Sequence, residues 1–110
     1  MVAMTMFLAG LLCFSWDSCV NTQNVTLVLT DNITYLEEQC DTPVQVNGCA
    51  VFQTNTVYVR ERTDKRKEIA VIFHELLHFE MGPEHNEAFL ARDNHYRDEI
   101  GVVDRMEIVK

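Results

Sequence analysis

Apolar and polar residues follow different rhythms in different parts of this chain, and each rhythm predicts an element. Asn24 to Thr30 (NVTLVLT) is dense in β-branched residues and is stopped by Asp31 and Asn32, which predicts a strand. Ile33 to Gln39 fits a short helical turn, and Asp41 to Gly48 has the composition of a loop. Ala50 to Gln53 and Thr56 to Arg60 (AVFQ and TVYVR) predict two short strands with Thr54 and Asn55 at the bend between them. The rhythm then turns helical. Asp64 can cap a helix running to Met81, where Gly82 offers a stop and Pro83 prevents continuation. A second helix is expected from Pro83 to Ile100, with Gly101 as its stop, and Val102 to Lys110 is too short to assign. The expected fold class is α+β: a short mixed sheet packed on one buried helix, followed by a second helix.

Val2 to Phe14 has no rhythm, because almost every position is apolar. The run is shorter than the roughly 20 residues a membrane-spanning helix needs and matches the core of an export signal. This divides the chain into a signal, residues 1–15, and one domain, residues 16–110, with no stable membrane span once the signal is removed. The alternative is an apolar first strand of a cytoplasmic protein. Four cysteines in a short chain point to disulfides and so to an exported protein, periplasmic or secreted. Cys40 and Cys49 flank the Pro- and Gly-containing loop that a bridge could close. Cleavage after Ser15 would leave Cys19, Cys40 and Cys49, an odd number.

Charge narrows the partners. The net charge is −8, from 17 acidic and 9 basic side chains, and no basic residue precedes Arg60, which argues against nucleic acid and favours a peptide or protein partner. The basic residues between Arg60 and Lys67 are interleaved with Glu61 and Asp64 and have the character of a solvated loop.

The candidate chemistry lies in His74-Glu75-Leu76-Leu77-His78. A spacing of four sets both imidazoles on one face of a helix, one turn apart, where two nitrogens can share a metal ion. Glu75 projects about 100 degrees round the helix from His74, near enough to reach a water there without being a ligand. From Ile69 to Phe79 every other residue is apolar, so three ionisable groups sit on a helix expected to be buried nearly all round. Unpaired, each would cost several kcal/mol, and a bound Zn2+ ion with its water would satisfy them. A catalytic zinc needs a third protein ligand. Glu84, His85 and Glu87 follow the turn at Gly82; Glu87, on the second helix, is the first choice, with His85 and Glu84 as alternatives. Asp93 and His95, one to two turns on, fit groups that orient the ligands.

HELLH in this setting resembles the zincin metallopeptidases, and Thr56 to about Gly101 carries the resemblance to their minimal single-domain members. The zincins with a third histidine show HExxHxxGxxH; here, in HELLHFEMGPEH, Gly82 and His85 each fall one residue late. Met106 is similar to the methionine turn of that group. The gluzincins take a glutamate from a following helix, and Glu87 in NEAFLA is similar to that pattern. Asp93 to Gly101 also resembles a segment of secreted effector-type and toxin-type zinc peptidases, which would make Tyr96, Arg97 or Arg105 oxyanion-stabilising groups, although Arg97 could instead bridge Asp93 or Asp98. The resemblance implies a minimal gluzincin-like enzyme that hydrolyses peptide bonds, with one zinc polarising the substrate carbonyl and acidifying a water, and Glu75 as the general base. Thr56 to Arg60, taken as an exposed edge strand, would receive an extended peptide. Two other functions share these residues: a zinc-binding interaction or inhibitor module without catalysis, and an amidase acting on cell-wall amide bonds.

Overall fold

A computed structural model describes residues 3–42 and 46–102. Its elements run β1 (Ala3–Leu8), β2 (Leu11–Cys13), β3 (Cys19–Asn21), β4 (Val25–Thr30), α1 (Ile33–Cys40), β5 (Gly48–Val51), a 3-10 turn (Phe52–Thr54), β6 (Thr56–Arg60), α2 (Lys65–Met81) and α3 (Glu87–Glu99). The α+β class holds, with a mixed four-stranded sheet in the order β1-β4-β6-β5 and a small β2-β3 hairpin. β4 and β6 are parallel, with Leu27 opposite Val57, while β1 and β5 pair antiparallel to their neighbours.

The two faces of β6 feed two cores, as the alternation of a central strand requires. Val57 and Val59 join Leu27, Val71, Phe73, Leu76 and Leu77 beneath α2. On the other face Tyr58 packs with Leu36, Cys40, Val46 and Cys49 beneath α1. α2 is held by this burial more than by propensity, and its ends follow the sequence: the Asp64 side chain accepts from Arg66 N, and Gly82 closes the helix at φ 96° by donating its N–H to the His78 carbonyl.

The position of β5 depends on Gly48. A Cβ there would meet Val71 Cγ1 at 2.7 Å and Glu75 Cγ at 3.3 Å. Only a glycine lets this strand lie so close to α2, with its first residue against Glu75.

Two sequence expectations are corrected. Thr56 to Arg60 is not an edge strand: β6 is laddered on both sides, and the sheet ends at β5 and β1. Ala50 to Gln53 splits, since the strand stops at Val51 and the chain turns at Phe52–Thr54 through Asn55, at φ 50°. The run from Val2 to Phe14, the expected export signal, forms β1 and β2 from Ala3 onward. β1 finds a complete ladder partner in β4, and Leu8, Leu12 and Phe14 pack against the main core. Release after Ser15 would remove β1 and β2 together with Cys13, which is bonded to Cys19 across the hairpin. The expected Cys40–Cys49 bridge is present and ties the end of α1 to β5. Two disulfides in so short a chain fit an oxidising, extracellular setting. Among the described residues no helix is long and apolar enough to cross a membrane. Met106 and Arg105 lie outside the described residues.

Candidate metal centre

His74 and His78 are buried on the inner face of α2, 3% and 2% exposed, so their rings are fixed by packing. Their Nδ1 atoms are both committed. His74 Nδ1 lies 3.0 Å from Asp93 Oδ2, and His78 Nδ1 lies 2.9 Å from the Gly82 carbonyl oxygen. A carbonyl can only accept, and the Asp93 carboxylate does likewise, so both Nδ1 atoms donate and both Nε2 lone pairs are left facing the site.

The third group is His85. Its Nε2 stands 3.1 Å from His74 Nε2 and 3.1 Å from His78 Nε2, and the three together could hold a metal ion. One imidazole proton on His85 cannot serve two acceptors well, whereas a cation satisfies all three nitrogens. Burial, and then the neighbouring His74, hold the His85 pKa below its usual value against the opposing pull of Asp93, which favours the neutral, ligating form.

The placement of His85 corrects the expected start of the second helix. α3 begins at Glu87 and not at Pro83, because the Asn86 side chain accepts from Phe89 N and caps the helix there. Pro83 to His85 is therefore a connecting stretch, which is what carries His85 over the two buried histidines. Glu87, the first choice as third ligand, becomes the first residue of α3 and is exposed; Glu84 is exposed as well. An acid in that first turn complements the helix dipole.

The same cap sets the register of α3. Phe89, Asp93 and Arg97 follow at intervals of four and share the face toward α2. Phe89 is fully buried, with its ring centroid 4.6 to 5.2 Å from those of all three histidines. Asp93 is buried between His74 and Arg97, whose Nε is 3.3 Å from Asp93 Oδ2. Burial would raise the Asp93 pKa, but the His74 hydrogen bond and the Arg97 charge outweigh it and hold the carboxylate ionised. Asp93 thus orients His74, and Arg97 supports Asp93. Tyr96 is 2% exposed and packs its ring on Phe73 and Phe14. His95, expected near the ligands, lies on the outer face of α3 and pairs with Asp17 and Glu99, fastening the β2-β3 connection to the helix.

Glu75 has the most demanding environment. It is 0% exposed, and neither carboxylate oxygen has a hydrogen-bond partner among the described residues. Its Oε1 stands 3.9 Å from His78 Nε2. Burial above all, and then Asp93, push its pKa well above the ordinary value, with Arg97 opposing.

Comparison of the chain with protein-family models, with curated proteins and with solved structures gives no match, so the reading of this site rests on its own residues.

Replacing Asp93 by Asn should weaken metal binding about 10- to 100-fold, the usual effect of losing a carboxylate that orients a ligating histidine. Competition titration against a chromophoric chelator would measure it, and an unchanged affinity would show that His74 is held by packing alone.

Proposed function

We propose that this chain is a zinc-dependent hydrolase of the zincin type acting on peptide bonds. The observation that carries the reading is the convergence of three Nε2 atoms beside a fully buried carboxylate with no hydrogen-bond partner among the described residues. Zinc suits the donor set: three neutral imidazoles are common zinc ligands, and Zn–N bonds of about 2.0–2.1 Å in a tetrahedron put the nitrogens roughly 3.3 Å apart, close to the 3.1 Å separations here. Three protein ligands leave a fourth position, as hydrolytic sites need and closed structural sites do not.

When bound, zinc would supply a Lewis acid that polarises a carbonyl and acidifies a water. The protein's own groups do the rest. Asp93 and the Gly82 carbonyl hold two ligands in the right tautomer, Phe89 packs against the three rings, and the buried Glu75 carboxylate stands 3.9 Å from His78 Nε2, beside the site of the water. It takes the proton from the attacking water and returns it to the leaving amine. The end strand β5, whose first residue touches Glu75, replaces Thr56 to Arg60 as the strand along which an extended peptide would lie. A buried Glu75 that is not among the converging ligands favours catalysis over a non-catalytic zinc module, since a purely structural site gains nothing from it.

Two measurements test the proposal: zinc content by elemental analysis, and cleavage of a diverse peptide mixture followed by mass spectrometry. One zinc per chain is expected, with cleavage that stops on chelation and returns with added zinc. Folded protein that takes up no zinc even when supplied with it would remove the basis of the reading. A tightly held zinc without any cleavage would leave the binding module.

A further inference from the structure

A second group of metal-ligating side chains lies on the outer face of α3. His95 and Glu99 stand four apart on that helix, one turn from each other, and Asp17 reaches them from the connection between β2 and β3. His95 Nε2 is 2.9 Å from Asp17 Oδ2 and 3.2 Å from Glu99 Oε1, and the three ligand atoms all lie within 4.8 Å of one another. The connection is shaped without any ion. The Cys13–Cys19 disulfide closes it, and Phe14 N donates across it to the Ser18 carbonyl at 2.8 Å. Ser15 and Ser18 donate their hydroxyls to Glu99 Oε1, at 3.1 and 2.8 Å, and so orient that carboxylate. Less conformational entropy is then left to lose on binding.

An ion pair alone accounts poorly for this arrangement. An imidazolium carries one proton at Nε2, which cannot point well at two carboxylates. Asp17 most strongly, and then Glu99 and Asp98, raise the His95 pKa, so the field at this point draws positive charge. One imidazolium supplies a single positive charge against the two carboxylates that flank it. Arg92 lines the neighbouring cavity but is engaged by Glu80 and the Cys19 carbonyl. A divalent cation would bond to all three atoms at once. Zinc bonds to N and O of about 2.0–2.2 Å in a tetrahedron set the ligand atoms roughly 3.3–3.6 Å apart, near the 2.9 and 3.2 Å found here. An imidazole with two carboxylates suits zinc and its first-row neighbours better than Ca2+ or Mg2+, which take oxygen. Asp17 and His95 also border a cavity of about 300 Å³, which leaves room for water at the remaining coordination position.

We propose that Asp17, His95 and Glu99 form a second metal site, which takes a divalent first-row transition ion such as zinc and clamps the β2-β3 connection to α3. The site does not depend on the hydrolase reading. Its ligands are exposed, so it binds more weakly than the buried centre, and it fills only when zinc exceeds what that centre holds.

The test is a calorimetric titration of full-length, disulfide-bonded protein, already holding its buried zinc, with further zinc. Wild type is expected to take up one more ion per chain. His95→Gln and Glu99→Gln should each weaken that event at least about tenfold, the low end of what losing even an orienting partner of a ligand costs. Both positions are exposed, and Asp17→Asn gives a third variant if either of them disturbs the fold. His85→Ala, which disables the buried centre, should leave the affinity of the outer site within about a factor of two, as independent sites do. Hydrogen exchange in residues 14–18 should slow when the second ion binds to wild type and not when zinc is added to Glu99→Gln. No uptake beyond one ion would mean that the cluster is an ion pair only, and would overturn the site. A second ion that binds the ligand variants as tightly as wild type would lie elsewhere on the surface, and one lost in His85→Ala would belong to the histidines; either result would overturn it as well.

Discussion

Glu75→Gln is expected to lower peptide hydrolysis by about 10²- to 10⁴-fold in kcat, the range spanned by general-base catalysis, while zinc stays at one per chain. Glutamine keeps the shape and the burial and loses only the ability to take a proton. The same change should alter the metal-free protein in the opposite direction. The Glu75 carboxyl, buried at 0% exposure, has its pKa raised well above the ordinary value near 4.5. The folded state therefore binds that proton more tightly than the unfolded state does. Below the ordinary glutamate range both states are protonated and the group imposes no penalty; as pH rises through and beyond that range, the unfolded chain ionises freely and the folded one resists, so stability falls. Metal-free Glu75→Gln should accordingly melt above metal-free wild type at pH 7 to 8, with the gap closing toward pH 4. Melting curves across that range, beside steady-state kinetics of the zinc-loaded proteins, check both halves. Full activity in the variant would sink the mechanism. Identical melting at every pH would mean that the folded protein does not oppose ionisation of Glu75.

A side chain expected to weaken the metal-free fold at neutral pH, and standing outside the three-histidine cluster, fits a role in chemistry better than one in architecture. That opposition was legible in the sequence, where Glu75, with His74 and His78, interrupts the otherwise apolar stretch from Ile69 to Phe79. So were the limits of α2, because Asp64 and Gly82 mark a helix start and stop by local hydrogen-bond chemistry alone. β4 and β6 were legible for a similar reason: β-branched runs define a strand whatever it pairs with.

Partnership was not legible. Nothing within TVYVR says that β1 and β5 take the two ends of the sheet and leave β6 inside. An uncharged apolar run such as Val2 to Phe14 has the same composition whether it serves as a signal core or as a strand that closes a ladder with β4. Asp93 as an orienting group and its bridge to Arg97 were legible in the sequence and are present, but the place of Phe89 on the same buried line was hidden by the helix start. Counted from Pro83 the face of α3 has no anchor, whereas counted from Asn86 it has one. Asn86, a residue that favours helix caps and stands three before Phe89, was a usable signal that the Gly82-Pro83 pair obscured.

That single register bears on which residue would be the third ligand, and with it on the second large effect. His85→Ala should weaken zinc binding by at least about 10²-fold, or roughly 2.7 kcal/mol, because two buried histidines alone cannot complete the site. Glu87→Ala should leave zinc affinity within about a factor of two and cost the fold only the roughly 0.3–1 kcal/mol that an acid contributes in a first helical turn. The two residues are two apart in sequence, yet Asn86 between them separates a connecting stretch that reaches the metal centre from a helix start that faces solvent. Competition titration gives the affinities, and thermal melting gives an independent measure, since a ligand that binds only the folded state raises its stability by RT ln(1 + [L]/Kd). Zinc should raise the melting temperature of wild type and Glu87→Ala alike and have little effect on His85→Ala. The reverse pattern, with zinc lost in Glu87→Ala and retained in His85→Ala, would mean that α3 starts earlier in solution than Asn86 dictates here and that a carboxylate completes the centre.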